Sequence, residues 1–201
     1  MPSATVTLYS DYKSPYAFVA KAAAYALEDD FDIALDWLPY TLDIPSYLGS
    51  VENRDAHQWR KVRYAYMDAR RYANKQGLTL KGPRKIYDTR TAQTGMLFAK
   101  MHGVFHPYHD DVFERFWSHE IEIEDVSEVV AAIDAAGAPG AEFSAFLAGD
   151  GGAAHDRIRA AAEEAGIFGV PMFVFDGELF FGGDRIELLR ERLSGRGLTR
   201  G

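Results

Sequence analysis

Residues 10–17 of the chain are Ser-Asp-Tyr-Lys-Ser-Pro-Tyr-Ala, and they join a strand pattern to a helix pattern. The preceding residues 5–9, Thr-Val-Thr-Leu-Tyr, are β-branched and aromatic, which favours a strand. From Pro15 to Leu27 the apolar residues recur at helical spacing, and Ser-Pro is a common helix start. Ile33 to Leu38 predict a second strand, which ends at Pro39 because proline donates no hydrogen bond to a sheet. The first forty residues therefore predict strand, helix, strand.

The middle of the chain, from about Asn53 to Gly166, has helical periodicity throughout. The predicted helices are a long one through Asn74 and others at residues 91–101, 110–119, 126–135, 141–147 and 154–165. The glycine-rich run at residues 149–152 predicts a loop. The histidines and aspartates of residues 106–111 suggest a metal site, but a loop broken by Pro107 explains them better, and no metal is expected.

The last part of the chain predicts two short strands, Met172 to Phe175 and Glu178 to Phe181, around the hairpin signal Asp176-Gly177. Asp184 is then the predicted N-cap of a final helix, and residues 195–201 are expected to fray. The whole order is strand–helix–strand, a helical block, then strand–strand–helix. This predicts an α/β, thioredoxin-like fold, in which residues 1–40 and 167–201 form the thioredoxin-like domain and residues 41–166 a helical insertion subdomain.

Composition narrows the range of functions. The 201 residues carry a net charge of −8, which argues against nucleic acid as a partner because such proteins need clustered cations. Neither a signal-peptide pattern nor an apolar run of about 20 residues is present, so we expect a cytoplasmic protein without membrane contact. There is no cysteine, which excludes disulfides and catalysis by a protein thiol.

Ser14-Pro15-Tyr16-Ala17 stands where a thioredoxin-type redox enzyme carries its two cysteines, at the start of the first helix. A helix N-terminus and a hydroxyl remain, and both can stabilise the thiolate of a bound molecule. Alternatively, Ser14 and Pro15 serve only as helix cap and first helical residue.

Val170-Pro171, just before a predicted strand, is the second candidate element. In thioredoxin-like folds this proline is cis and faces the first helix, which leaves the preceding backbone free to pair with a peptide. An ordinary trans proline leading into an edge strand is the alternative.

These motifs resemble those of the 2-hydroxychromene-2-carboxylate isomerases and kappa-class glutathione transferases, in the DsbA-like branch of the thioredoxin superfamily. The resemblance covers essentially the whole chain, and four motifs occur in the family's order: residues 10–18, residues 53–55 (Asn-Arg-Asp), residues 168–171 (Phe-Gly-Val-Pro) and residues 180–185 (Phe-Phe-Gly-Gly-Asp-Arg).

The resemblance implies glutathione as cofactor. It implies that Ser14 hydrogen-bonds the glutathione sulfur, that Val170, before Pro171, pairs with the cysteinyl backbone, and that Asn53 lies beside the thiol. Asp184 and Arg185 would bind the γ-glutamyl end, whose ammonium and carboxylate suit these two side chains. It also suggests a homodimer.

One position departs from the family. Its isomerases carry a lysine on the long helix after Asn53, where this chain has Tyr66, a candidate substrate-binding residue. Lys61 and Arg63 are nearby cations, but neither shares a helical face with Tyr66.

The predicted function is a glutathione-dependent isomerase of a small aromatic acid, in which the glutathione thiolate is the nucleophile and is released unchanged. The alternatives are a kappa-class-like glutathione transferase and a non-catalytic DsbA-like binding protein.

Overall fold

The computed structural model describes residues 2–200, apart from the side chain of Tyr47. A four-stranded sheet has the order β2-β1-β3-β4. Its strands are β1 (Ala4–Ser10), β2 (Ile33–Pro39), β3 (Met172–Phe175) and β4 (Glu178–Phe181). β2 runs parallel to β1, whereas β3 and β4 are antiparallel to their neighbours. The predicted strands and the mixed α/β architecture are therefore confirmed.

Two helices follow the strands of this sheet, and a helical block connects β2 to β3. The helices that follow strands are α1 (Pro15–Asp30), after β1, and α9 (Ile186–Gly195), after β4. The block contains α2 (Ile44–Leu48), α3 (Ala56–Lys75), α4 (Arg90–Met101), α5 (Phe105–Ser118), α6 (Val126–Ala136), α7 (Phe143–Ala148) and α8 (Asp150–Glu164). Short 3-10 turns lie at Val51–Asn53, Gly140–Glu142 and Gly183–Arg185.

The sheet side and the helical block share one aromatic core. Phe18 of α1 stacks on Phe113 of α5 at 5.5 Å between ring centroids and on Trp117 at 6.1 Å. Tyr12 approaches Phe113 at 4.8 Å. The two-domain division stays a prediction, and Met1 and Gly201 at its ends lie outside the described residues.

Two predicted loops in the block are helical instead. α5 begins at Phe105, because Pro107 falls in its first turn, where the backbone N–H has no helical partner to lose. α8 begins at Asp150, and a Cβ on Gly151 would collide with the ring of Phe146. These glycines thus let α8 pack closely on α7.

The prediction at the start of the last helix was also wrong. Asp184 lies in the 3-10 turn before α9, and the N-cap position is held by Arg185 without a side-chain cap.

The tail expected to fray is held by the end of α1: the Arg200 N–H donates to the Asp30 carbonyl at 2.8 Å. Gly201, the last residue of that predicted tail, lies outside the described residues.

The loop between β1 and α1 is organised by the buried carboxylate of Asp11, which is 0% exposed. One oxygen accepts the Thr89 hydroxyl at 2.6 Å and the Lys13 N–H at 3.2 Å. The other accepts the Leu42 N–H at 2.8 Å. The Lys13 ammonium lies 3.7 Å away and donates to the Tyr87 carbonyl at 3.0 Å. One side chain therefore joins the loop to the exit of β2 and to the start of α4.

We expect Asp11→Asn to lower the free energy of unfolding by about 3 kcal/mol, because it uncouples a buried ion pair and turns an amide donor toward existing donors. Urea unfolding followed by circular dichroism measures the change. Asp29→Asn, on the exposed end of α1, is the matched control and should unfold like the wild type. Equal stability of the two variants would contradict this role.

His109 is a buried imidazole inside the aromatic core, 1% exposed. Its Nδ1 lies 3.1 Å from the Tyr12 hydroxyl, while Nε2 has no hydrogen-bond partner within the described residues. The rings of Trp37 and Phe105 each approach it at 4.7 Å. Burial pushes the pKa of His109 well below its usual value, so the folded protein holds it neutral.

Because the unfolded chain takes up a proton at His109 near its ordinary pKa and the folded chain does not, stability is lost as pH falls below about 6.5. When the pH is lowered from 7.5 to 5.5, the free energy of unfolding should fall by about 1.4 kcal/mol less in His109→Phe than in the wild type. Urea titrations at both pH values measure this difference. Phe113→Leu, a change beside His109 in the same core that removes no titratable group, should keep the wild-type pH dependence. An unchanged dependence in His109→Phe would contradict the assignment.

Candidate active site at the start of helix α1

Ser14 lies at the N-terminus of α1 and is 4% exposed. Its Oγ accepts the Ala17 N–H at 3.2 Å, which makes it the helix cap, and donates to the Val170 carbonyl at 3.2 Å. The next residue, Pro15, has no N–H, and the Tyr16 N–H has no partner within residues 2–200. The helix start therefore offers a hydroxyl and an unpaired N–H beside the positive end of the helix dipole.

Val170 and Pro171 face this helix start, as predicted, and the bond between them is cis. Val170 is buried in an apolar cluster that also contains Tyr40 and Met172. Its carbonyl accepts from Ser14, while its N–H has no partner in the described chain. The structure thus brings Ser14, Val170 and Pro171 together from opposite ends of the sequence.

Asp184 and Arg185 lie together on the turn that follows β4, and both side chains are exposed. Arg185 Nη1 donates to Asp184 Oδ2 at 2.7 Å. The turn lies close against α1: a Cβ on Gly183 would come within 3.0 Å of the Ala20 Cβ. With about 1.5 Å of rise per residue, Ala20 is about 9 Å along the helix from Ser14, a span that a tripeptide can bridge.

Asn53 ends the 3-10 turn before α3, and its side chain is exposed. Its Nδ2 donates to Ser50 Oγ at 3.0 Å. Within the described residues no hydrogen bond joins Asn53 to Ser14. The predicted position of Asn53 beside the thiol therefore stays a prediction.

Tyr66 is half-buried on α3, with its ring centroid 6.2 Å from that of Trp117. Burial raises the pKa of its hydroxyl to about 12, although the nearby charges of Arg54 and Arg70 act in the opposite direction. The phenol therefore stays protonated at neutral pH and acts as a donor. The cations near it are Arg54 and Arg70 rather than the sequence candidates Lys61 and Arg63, whose side chains are exposed.

Helix α3 is held beside α1 by two hydrogen bonds that the sequence does not predict. The Tyr16 hydroxyl donates to Asp68 at 3.2 Å, and Gln76 Nε2 donates to the Val19 carbonyl at 2.9 Å. Burial and then Asp68 raise the pKa of Tyr16 to about 12, which keeps this donor protonated. These bonds fix α3 as a neighbour of the helix that carries Ser14.

The inward face of α3 is covered only in its second half. Ala69 and Ala73 are fully buried, whereas Trp59, Val62 and Tyr66 before them remain partly exposed. All five recur at helical spacing on one face. The first half of α3 therefore forms an apolar wall that other side chains leave partly open.

The DSBA-like thioredoxin domain model matches residues 5–194. The chain belongs to this family. It is 24% identical to a 2-hydroxychromene-2-carboxylate isomerase of Pseudomonas sp. (strain C18), over 94% of this chain and 90% of that protein. The solved structure of a selenomethionine 2-hydroxychromene-2-carboxylate isomerase matches with a TM-score of 0.78 at 23% identity, covering 94% of each chain. A probable DsbA oxidoreductase of Streptomyces coelicolor has a TM-score of 0.76 at 22% identity, covering 95% of this chain and 88% of that one.

This DsbA-like chain has no cysteine, and Ser14 and Ala17 lie at the N-cap and in the first turn of α1. It therefore cannot form or exchange a disulfide of its own. Within residues 2–200 no helix is long and apolar enough to cross a membrane, and no metal-binding group of three or more His, Cys, Asp or Glu side chains is found.

Other features of the DsbA-like fold lack the properties of an active site. A polar depression of about 730 Å³ lies at the far end of α1, beside Asp30 and Arg190, about 24 Å along the helix from Ser14. Charged and polar side chains dominate its lining, and Arg190 is already paired with Asp30 at 2.7 Å. We assign it no function.

A hydroxyl, an imidazole and a carboxylate are aligned beside the exit of β2. Thr41 Oγ1 lies 2.9 Å from His155 Nε2, and His155 Nδ1 lies 3.0 Å from Asp156, which pairs with Arg90 at 2.9 Å. Hydrogen bonds from Arg90 and then His155 lower the pKa of Asp156 to about 2, and burial lowers that of His155. Thr41 and His155 are buried, and both oxygens of Asp156 accept from Arg90, so each group in the row is already satisfied by another part of the fold. The row is a structural connection between β2, α8 and α4.

We expect Thr41→Val to destabilise the protein by about 1–3 kcal/mol, because it leaves the buried His155 nitrogen without its partner while keeping the side-chain shape. Thermal and urea unfolding at pH 7.5 test this. Thr5→Val, at an exposed position of β1, is the same chemical change without a buried partner. It should leave the free energy of unfolding unchanged. If both variants unfold alike, the Thr41 bond does not stabilise the fold.

Proposed function

We propose that the chain is a glutathione-dependent isomerase of a small aromatic acid, like the 2-hydroxychromene-2-carboxylate isomerases it resembles. The observation that carries the proposal is the hydrogen bond from the Ser14 hydroxyl, at the start of α1, to the carbonyl of Val170 in a chain without cysteine. The DsbA-like fold then retains a site that favours negative charge on sulfur, but the sulfur must come from a bound molecule.

The groups around Ser14 fit a cysteinyl unit. The unpaired Val170 N–H and the Val170 carbonyl can pair with its backbone as a neighbouring strand would. A peptide N–H on that carbonyl would replace the Ser14 hydroxyl, which is then free to donate to sulfur. The unpaired Tyr16 N–H offers a second donor at the same helix start.

Asp184 and Arg185 fit the zwitterionic γ-glutamyl end. Their ion pair is exposed, and exposed pairs stabilise a protein little, so exchanging partners with a ligand costs little. Asp184 then accepts from an ammonium group, and the Arg185 fork donates to a carboxylate. Asn53, on the turn before α3, is the proposed neighbour of the thiol.

When bound, glutathione supplies a sulfur nucleophile for an electrophilic carbon of the substrate and leaves unchanged. Ser14, the Tyr16 N–H and the α1 dipole stabilise negative charge at that place. Tyr66 is protonated at neutral pH and donates a hydrogen bond to the substrate; it does not act as a base.

We expect glutathione to bind the wild type saturably in calorimetry, and Asp184→Ala with Arg185→Ala to abolish that binding. Glu178→Ala with Arg192→Ala removes another exposed ion pair and should bind glutathione like the wild type. The ultraviolet absorbance of the bound thiolate should be weaker in Ser14→Ala, because a donor to sulfur is lost. No binding at millimolar glutathione would overturn the proposal.

Product analysis with 2-hydroxychromene-2-carboxylate separates the remaining alternatives. An isomerase converts the acid while the glutathione concentration stays constant. Glutathione consumed in proportion to product would indicate a kappa-class-like transferase. Glutathione binding without turnover across a panel of aromatic acids would indicate a non-catalytic binding protein.

A further inference from the structure

Arg54, between the 3-10 turn Val51–Asn53 and helix α3, has a fixed position. Its Nε donates to the carbonyls of Leu48 and Gly49, at 3.0 and 3.2 Å. Its guanidinium lies over the Trp59 ring, 5.1 Å from the centroid. The backbone bonds use only Nε, and the two terminal amino groups have no hydrogen-bond partner among the described side chains and backbone, which leave out the side chain of Tyr47. A preorganised guanidinium therefore presents free donors.

The two carboxylates nearest in sequence, Asp55 and Glu52, do not form an ion pair with Arg54. Asp55 caps α3, where its Oδ1 accepts the Gln58 N–H at 2.7 Å. Glu52 is fully exposed, and hydrogen bonds with its own backbone N–H and then with Ser50 lower its pKa more than the charge of Arg54 does. Within the described chain no carboxylate lies within 4 Å of Arg54. The charge of Arg54 is therefore available to a ligand.

Arg54 stands at the open end of the apolar wall of α3. Trp59 and Tyr66 are seven residues apart, two helical turns, and so share a face with Val62 between them. Side chains on a helix lean toward its N-terminus, which directs the Tyr66 hydroxyl toward the end where Arg54 lies. The influence of Arg54 on the pKa of Tyr66 agrees with this direction.

Arg70, the other cation near Tyr66, is placed differently. Its Nε donates to the Leu80 carbonyl at 3.0 Å, on the far side of Tyr66 along α3. A Cβ on Gly82 would lie 3.3 Å from its Nη2. Arg70 therefore packs on the loop after α3, where Ala69 and Ala73 already fill the inward face.

We propose that Arg54 binds the carboxylate of the substrate and that Trp59, Val62 and Tyr66 form the surface against its flat ring. The ligand class is a planar aromatic monocarboxylate. The guanidinium fork matches a carboxylate with two parallel hydrogen bonds, and partly covered aromatic side chains suit a flat apolar ring. This inference rests on the proposed function and specifies how that site would select an acid over a neutral analogue.

Equilibrium dialysis with trans-cinnamate and its neutral amide, cinnamamide, tests the inference, with and without saturating glutathione. In the wild type the acid should bind about 10- to 100-fold more tightly than the amide, the range expected for hydrogen bonds to a charged group. Arg54→Gln should bring that ratio close to one. Arg60→Gln removes an exposed cation from the first turns of α3 and should keep the wild-type ratio.

Arg54→Lys covers the case in which Arg54→Gln does not fold, since the Nε bonds also hold the turn before α3. Lysine keeps the charge but lacks the fork, so the ratio should fall at least threefold. A wild-type ratio near one, or an unchanged ratio in either folded Arg54 variant, would overturn the inference.

Glutathione calorimetry on the same samples separates this inference from the proposed function. Arg54→Gln should bind glutathione like the wild type. Acid selectivity that depends on Arg54 in a protein that binds no glutathione would leave the carboxylate site standing and reject the proposed function. Glutathione binding without Arg54-dependent selectivity would leave the proposed function standing and reject the carboxylate site.

Discussion

The buried carboxylate of Asp11 is the interaction on which the site geometry depends. Tyr12 anchors the loop that carries Ser14 in the aromatic core, and a second, polar anchor helps to keep the hydroxyl opposite Val170. Asp11 meets this need with hydrogen bonds to Thr89 and Leu42 and an ion pair with Lys13. A buried charge is tolerated only where its partners replace water, and here those partners come from three separate parts of the chain. The anchor therefore ties the first helix to the helical block as well as to the sheet.

The elements predicted correctly from the sequence are those fixed by local physics. β-branched runs predict strands, Asp176-Gly177 predicts the hairpin, and Ser14-Pro15 predicts the start of α1. The errors occur where packing overrides local preference. Asp150 starts a helix among glycines because α8 must approach α7 closely, and Asp184 does not cap α9 because a 3-10 turn precedes it.

The residues of the candidate site also fall into two groups, those that a local motif indicates and those that only the tertiary fold brings together. Ser14, Val170 and Pro171 occupy characteristic positions in short motifs, so sequence alone indicates that they meet. Arg54 lies inside one of those motifs, but its proposed role depends on the absence of a nearby carboxylate. A local sequence pattern does not show whether a charge is unpaired in the folded chain. The Thr41–His155 bond and the Tyr16–Asp68 bond join residues 114 and 52 positions apart, respectively. Such pairs follow from the tertiary fold and are invisible to periodicity.

The combination of a serine at the helix start with a neutral tyrosine on α3 constrains where positive charge can act. A lysine on the inward face of α3 would place its ammonium among aromatic rings, where desolvation lowers its pKa. Tyr66 avoids this cost because burial raises its pKa and leaves it neutral. An arginine outside the helix, held by two carbonyls and a ring, is only partly buried, so its guanidinium stays partly hydrated. In the proposed site, charge for binding would come from Arg54 and a hydrogen bond for chemistry from Tyr66, so that each could be varied separately.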